Sequence, residues 1–410
     1  MSLPAPHSAP PSHDALLRDP DFRRLWATGL VGYFVRWLEV VVFGIHAYEV
    51  TGSAFVVAAM TMLRLAPLAL FGVFFGGVAA RIPRRTGLIV SLWMLMLTTA
   101  ALLVASATGR LTVGALALAS VINGLAWTAD NPLRRAMIGD LAGPARMGRA
   151  MALDVVASNA CKLGGPALGG LMLAHLGMTG VLLPLLLLYV GALALVHGVR
   201  SGRTPGSAPA AGLRATIVDG WALVRSSPRL AAVLWITVLF NVFGWPVLSM
   251  VPVIGRDRLG LAADGVGLLA SIDGLGTLVG ALALAGVSRS HWYGPVFVVG
   301  IGLFFAMLPA FALSTSTLWT AAALFVSGIG QAGFSVMQAT LVFVAAPPAQ
   351  RSQALGLLTM CIGSGLFGFL GLGALADALG APAAATLSAL AGLVLLAASW
   401  RLWRECWRSG

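Results

Sequence analysis

Apolar runs broken by glycine, proline or charge recur along the whole chain. They lie near residues 25–49, 55–80, 87–107, 111–132, 150–174 and 180–199, then, after a gap, near 230–253, 265–287, 293–313, 318–345, 352–376 and 382–402. A run of about 20 residues carries a helix across a hydrocarbon core. Barrel strands need only about 9–11 residues, and lipid tolerates no unpaired backbone, so helices remain the one reading that fits. The pattern predicts an all-α polytopic membrane protein with 12 transmembrane helices.

The one long polar break, "RSGRTPGSAPAAG" followed by the amphipathic "LRATIVDGWALVRSSPRL", divides these helices into two sets of six. Two pseudo-symmetric six-helix bundles should therefore show an internal repeat. Sliding the chain by 204 residues sets "NGLAW" on "SGIGQ" and "PARMGRAMAL" on "PAQRSQALGL", matching Pro144 with Pro348, Ala150 with Ala354 and Leu153 with Leu357. The expected organisation is a disordered cytoplasmic tail over 1–20, an N-terminal bundle over 21–200 and a cytoplasmic linker with an amphipathic helix over 201–228. A C-terminal bundle over 229–403 and a cytoplasmic tail over 404–410 complete it.

Composition agrees: 59% of residues are hydrophobic and 10% charged, against roughly 25% charged in a soluble domain. The mean hydropathy of +0.91 requires many spans, not a single anchor. A net charge of +12 could point to nucleic acid, but the arginines form short clusters between apolar runs and Lys162 is the single lysine. With twelve spans both termini share one side of the membrane. That side holds 20 of the 26 basic residues, including Arg81, Arg84, Arg85, Arg134 and Arg135, and the other only Arg110, Arg256 and Arg258. The positive-inside rule puts both termini in the cytoplasm. The Pro/Ser-rich start has neither a basic beginning nor an apolar core, so no cleaved signal peptide is expected.

Charges inside a span cost about 2.5–3.5 kcal/mol each on insertion scales and mark functional candidates. Arg36 and Glu39 lie three apart on the first span, on one helix face, and are expected to pair. Packing alone could explain such a pair; so could a place in a transport cycle. Arg64 on the second span, Lys162 on the fifth and Asp273 on the eighth are the further charged candidates, with Asp154 nearer the cytoplasmic end of the fifth on the Lys162 side. His46 reads as an interfacial histidine. Asn123, Trp127, Asn241, Gln331 and Gln338 supply the neutral lining of a binding cavity. Spans three, six, nine and twelve carry no internal charge and read as peripheral.

The six histidines are scattered without ligand spacing, and the three cysteines suggest neither a disulfide nor a metal site. No nucleophile–base constellation is apparent, so no catalytic residue, metal or cofactor is assigned.

Twelve spans in two halves, "GGPALGG" on the fifth and "RIPRR" between the second and third resemble the major facilitator superfamily over nearly the whole chain. "FRRLWATGLVGYFVRWLEVVVFGIHAYEVTGSA" and "NPLRRAMIGDL" are similar to the bacterial branch that includes the enterobactin exporter and many efflux permeases. Gly165, Pro166, Gly169 and Gly170 match the family's antiporter motif, Gly-Pro-x-x-Gly-Gly. The loop motif between the second and third spans keeps Gly76, Arg81, Arg84 and Arg85 but has Ala80 for its aspartate and Pro83 for a glycine. The drug/proton antiporter motif of the fourth span, Arg-x-x-Gln-Gly, reads Ser120, Asn123 and Gly124, without its arginine.

The resemblance implies a secondary active transporter of the bacterial inner membrane that works by alternating access on a small molecule, with no nucleic-acid partner. Proton-coupled efflux is the leading expectation, with Glu39, Asp273 and Arg36 as coupling candidates. A substrate competing for Arg36 would free Glu39 to take a proton. Arg36, Arg64 and Lys162 outweigh Glu39 and Asp273 by one positive charge, which favours an anionic or zwitterionic, siderophore- or drug-like amphiphile. Uptake or flipping of a lipid-like solute is the alternative, followed by a non-transporting receptor; a monomer is expected.

Overall fold

The computed structural model describes residues 14–79, 83–143, 146–200, 223–225, 227–284, 290–347 and 350–408. The first three membrane helices are α1 (Pro20–Thr51), α2 (Ala54–Ala79) and α3 (Arg84–Ala107). Next come α4 (Val113–Ala142) and a helical stretch Met147–His197, divided below into α5 (147–176) and α6 (178–197). The second half has α7 (Pro228–Asp257), α8 (Ala263–Leu284), α9 (Tyr293–Leu313), α10 (Thr317–Ala345), α11 (351–379) and α12 (Ala381–Ala398). No strand occurs among the described residues.

Local chemistry sets the ends. The Asp19 carboxylate accepts the Asp21 backbone N–H at 2.9 Å, with Pro20 in the first turn, and together they start α1. Within the stretch 1–20 expected as a tail, Asp14–Arg18 form a helical turn with Leu16 buried, and residues 1–13 lie outside the described residues. At the other terminus Trp400–Arg408 are helical where a tail was expected from 404. Most of the linker, residues 201–222, and Arg81 lie outside the described residues.

The stretch Arg149–His197 is 49 residues long. As one straight helix it would measure roughly 75 Å, far more than a bilayer core of about 30 Å. Gly177, at φ 64° and ψ −176°, breaks it. The Trp26 indole donates to the Leu153 carbonyl at 3.3 Å and Arg24 to the Gly198 carbonyl at 2.7 Å. Both ends of the stretch thus return to the start of α1, so the chain reverses at Gly177 and crosses twice. The backbone conformation at Gly177 is open to glycine alone. Gly177→Ala is expected to cost about 1–3 kcal/mol, read as a lower thermal midpoint of the solubilised protein. Gly164→Ala, where a Cβ meets nothing within 4 Å, should leave that midpoint unchanged.

Each half has its own apolar core, and the halves exchange helix ends. Ala54, Val57, Ala58 and Leu65 of α2 pack into the C-terminal core, while Ala263 and Val266 of α8 pack into the N-terminal one. These pairings, α2 with α11 and α5 with α8, join the halves toward the end remote from the termini. Side chains such as Val90, Leu97 and Val104 on α3, Leu183 and Leu187 on α6, and Leu387 and Val394 on α12 are exposed, as lipid-facing helices require.

α7 is not regular. It passes through a π turn at Phe240–Gly244 and a 3₁₀ turn at Trp245–Met250, with Pro246 and Pro252 in its second half. Such wide and tight turns re-aim side chains; here Asn241 and Trp245 line a cavity between the halves.

Candidate functional site

Tyr33, Arg36 and Glu39 recur every three residues along one face of α1. Glu39 does not pair with Arg36. Its carboxylate accepts Arg64 Nη2 of α2 at 3.0 Å and Asn123 Nδ2 of α4 at 2.7 Å. Gly124 explains why: a Cβ there would lie 2.2 Å from the Arg64 carbonyl, so α2 and α4 touch backbone to backbone. That contact delivers Arg64 and Asn123 together to Glu39. The Arg64 and Glu39 side chains are only 6% and 2% exposed, a burial tolerable only for a paired and hydrogen-bonded ion pair.

Arg36 turns the other way, its guanidinium carbon 3.4 Å from the centre of the Trp127 ring. Among the described residues it has no carboxylate within ion-pair distance, and Asp130 lines the same space. Trp127 Nε1 and Asn123 Oδ1, one helical turn apart on α4, are buried without a hydrogen-bond partner among the described residues.

A second cluster joins the two halves. Lys162 of α5 meets Asp273 Oδ2 of α8 at 2.6 Å and donates to Thr277 Oγ1 at 3.2 Å and to Gln331 Oε1 of α10. Thr277 also donates to the Asp273 carbonyl at 2.8 Å. Asp273 Oδ1 is buried and has no hydrogen-bond partner among the described residues. The sequence marks Lys162 and Asp273 separately; the structure makes them one ion pair.

Both clusters border a cavity of about 90 Å³ between the halves, lined by Arg36, Trp37, Arg64, Lys162, Trp245, Asp273 and Phe369. A neighbouring space of about 260 Å³ shares Trp37, Lys162 and Trp245 and adds Asn241, Gln331 and Gln338. Within that space Asn241 donates to the Thr237 carbonyl and Gln338 to the Thr237 hydroxyl, each at 2.8 Å. A third space, inside the N-terminal half, runs from Glu39 and Asn123 past Arg36 and Trp127 to Asp130 and Arg134. All ten residues singled out as coupling or binding candidates thus line these three spaces.

A buried network nearer the termini escaped the sequence reading. Arg134 is 1% exposed and bonds Asp154, which also accepts Arg135 Nε at 3.1 Å and the Tyr33 hydroxyl at 3.0 Å. Asp130 stands 3.7 Å from Arg134. The apolar run sets the end of the fourth span near 132, which puts Arg134 and Arg135 in a cytoplasmic connection. The helix instead runs through Pro132 to Ala142. Asp154 consequently pairs with Arg134. The i, i+4 spacing of Asp130 and Arg134 was the available signal. Trp37 and Trp245 were also missed, since tryptophan alone does not distinguish packing from lining.

The motif residues divide by role. A Cβ on Gly165 or Gly169 would strike Trp37 and Leu38 of α1, so these two pack the N-terminal half. Gly170 faces the other half: its Cβ would lie 2.3 Å from the Ala263 carbonyl, and one on Gly267 would lie 2.5 Å from the Pro166 carbonyl. Arg84 pairs with Asp140, and Arg85 Nε donates to the Val196 carbonyl at 3.3 Å. At the end remote from the termini, Glu49 pairs with Arg256 at 3.0 Å. Asp377 there accepts the Ser53 hydroxyl at 2.9 Å and the Phe55 N–H at 3.0 Å.

A family model described as Major Facilitator Superfamily matches residues 25–367. No curated protein sequence matches the chain. Among solved structures, a bacterial homologue of the human lysosomal transporter Spinster, inward-facing and unoccupied, is 14% identical with a TM-score of 0.72. That match covers 95% of this chain and 98% of the other. The nucleoside transporter NupG is 14% identical, TM-score 0.74, over 94% and 100% of the two chains. A bacterial homologue of the iron transporter ferroportin, inward-facing, is 18% identical, TM-score 0.67, over 96% and 100%. At these identities the likeness is one of fold.

Proposed function

Since the chain belongs to the Major Facilitator Superfamily, as a multi-pass membrane protein with a transporter fold and not an enzyme, we propose that it exports a small anionic or zwitterionic amphiphile by proton-coupled alternating access. The proposed setting is a bacterial inner membrane, with both termini in the cytoplasm as the arginine distribution favours. The antiporter motif supports export over uptake.

The observation that carries this reading is the Lys162–Asp273 pair, which spans the two halves on the wall of the central cavity. Alternating access rocks one half against the other about a midplane site, so a bond across the halves there is made and broken in each cycle. A proton on Asp273 cancels the charge that holds Lys162 and loosens the bridge. A substrate anion can then be held by Arg36 while the halves move.

Glu39 is placed less favourably for coupling than the sequence implied. Arg64 and Asn123 satisfy its carboxylate inside the N-terminal half, so a ligand at Arg36 does not unpair it. Coupling is therefore assigned to Asp273, and Arg64–Glu39 is assigned the scaffold beneath Arg36. The cavity keeps its excess of one positive charge, carried by Arg36, which supports a negatively charged group on the solute.

The test is a pH dye inside proteoliposomes under an imposed proton gradient, with siderophores, anionic amphiphiles and lipophilic cations added in turn. Anion-dependent proton flux is expected in the wild type and in the Glu39→Gln/Arg64→Met double variant, which strands neither charge, and its loss in Asp273→Asn. Solute movement with no proton flux overturns the coupling; movement of lipophilic cations alone overturns the substrate class.

A further inference from the structure

Two polar groups on the wall of the central cavity are left with bonding capacity, and they sit on opposite halves. Arg36 on α1 has its guanidinium carbon over the Trp127 ring, 3.4 Å from the ring centre. A guanidinium stacked on a ring keeps its N–H groups pointing outward from its edge, where they match the two oxygens of a carboxylate. Asp273 on α8 is 4% exposed; its Oδ2 is engaged by Lys162, while Oδ1 has no donor among the described residues. Buried polar atoms without a partner are rare, and each calls for an explanation. Both residues line one cavity, with Trp37, Trp245 and Phe369 beside them.

Resting on the transport reading above, we infer that the solute is an amphiphilic monoanion with a neutral hydrogen-bond donor, a hydroxyl or amide N–H, at the end remote from its anionic head. The head binds Arg36, the donor binds Asp273 Oδ1, and a flat apolar body lies among Trp37, Trp245 and Phe369. The donor is neutral for a reason of charge. Among the described residues on this cavity wall, Arg36 is the cation without a carboxylate in an ion pair; a single negative group balances it, whereas a cationic end would restore positive charge beside Lys162. The donor end also reports on the coupling group, because a solute bonded to Asp273 Oδ1 touches the carboxylate whose other oxygen holds the two halves together.

A site built to bond a hydroxyl rejects the analogue that lacks it much more strongly than an apolar pocket rejects a changed methylene. The experiment therefore uses solubilised full-length protein and a ladder of ω-(4-hydroxyphenyl)alkanoates of increasing chain length. Each is titrated calorimetrically beside its 4-methoxy analogue and its methyl ester. One chain length should bind best, with the methoxy analogue and the ester each weaker by about tenfold or more. Arg36→Gln should erase the preference for acid over ester, and Asp273→Ala the preference for hydroxyl over methoxy. If either variant fails to fold, the wild-type series decides alone. Equal binding of hydroxyl and methoxy compounds, with the ester still weak, overturns the donor end and leaves an anion site standing. Equal binding of acid and ester brings down the anionic reading as well. No binding at any chain length overturns the inference outright.

Discussion

Arg64→Met will cost about 3–5 kcal/mol of stability, the loss that follows when one partner of a buried ion pair is removed. Glu39 would be left at 2% exposure with a single neutral donor, Asn123, in a span where water cannot reach it. The expected observation is a sharp fall in the thermal midpoint and in the yield of monodisperse protein. Adding Glu39→Gln to Arg64→Met should recover most of it, because the stranded charge is then gone while its hydrogen bond to Asn123 can persist. Arg36→Ala is the contrasting case. It removes a cation met by a ring, so yield and midpoint should stay near wild type while transport is lost. Equal instability of Arg36→Ala and Arg64→Met would place Arg36 in the scaffold and remove it from the substrate site.

Gly170→Ala will hold the halves apart at the end remote from the termini. The added Cβ would lie 2.3 Å from the Ala263 carbonyl and 2.8 Å from the Gly267 Cα, both backbone atoms that no rotamer change can clear. The closed arrangement of that end is therefore raised in energy while the opened one is untouched, and a two-state equilibrium shifts tenfold for each ~1.4 kcal/mol of such a difference. Spin labels at Val50 and Leu379, exposed positions near that end on α1 and α11, should report a longer distance in the variant. Transport should fall by about tenfold or more. Gly169→Ala is the comparison: its Cβ meets Leu38 and Val42 of the same half, so it should lower stability without lengthening the label distance. An unchanged distance in Gly170→Ala would separate the motif from the rocking motion.

Much of the site could be read from the chain because charge in an apolar run is costly enough to be conspicuous. Arg36, Glu39, Arg64, Lys162 and Asp273 each stood out for that reason, and all five line the cavities. Their partners did not stand out. Helical spacing favoured Arg36–Glu39, yet Arg64 reaches Glu39 from a helix 25 residues on, because Gly124 admits α4 against the α2 backbone. Lys162–Asp273 joins residues 111 positions apart in different halves, a contact no local pattern encodes. The Arg134–Asp154 network was hidden by Pro132, which ends most helices but is accommodated in membrane ones when neighbours satisfy the freed backbone. Gly177 was the converse: two spans were separated correctly, but the turn between them is a single glycine, shorter than any loop the composition suggested.

By itself the sequence determined the membrane class, the two sets of six helices and the residues whose cost demands a purpose. These depend on transfer energies and on helix length, which act residue by residue along the chain. Only the tertiary structure decided which charges neutralise one another, which cation is left over, and which carboxylate bridges the halves. Those outcomes depend on approach distances of a few ångströms between helices remote in sequence, set by glycines whose missing side chains let one backbone reach another.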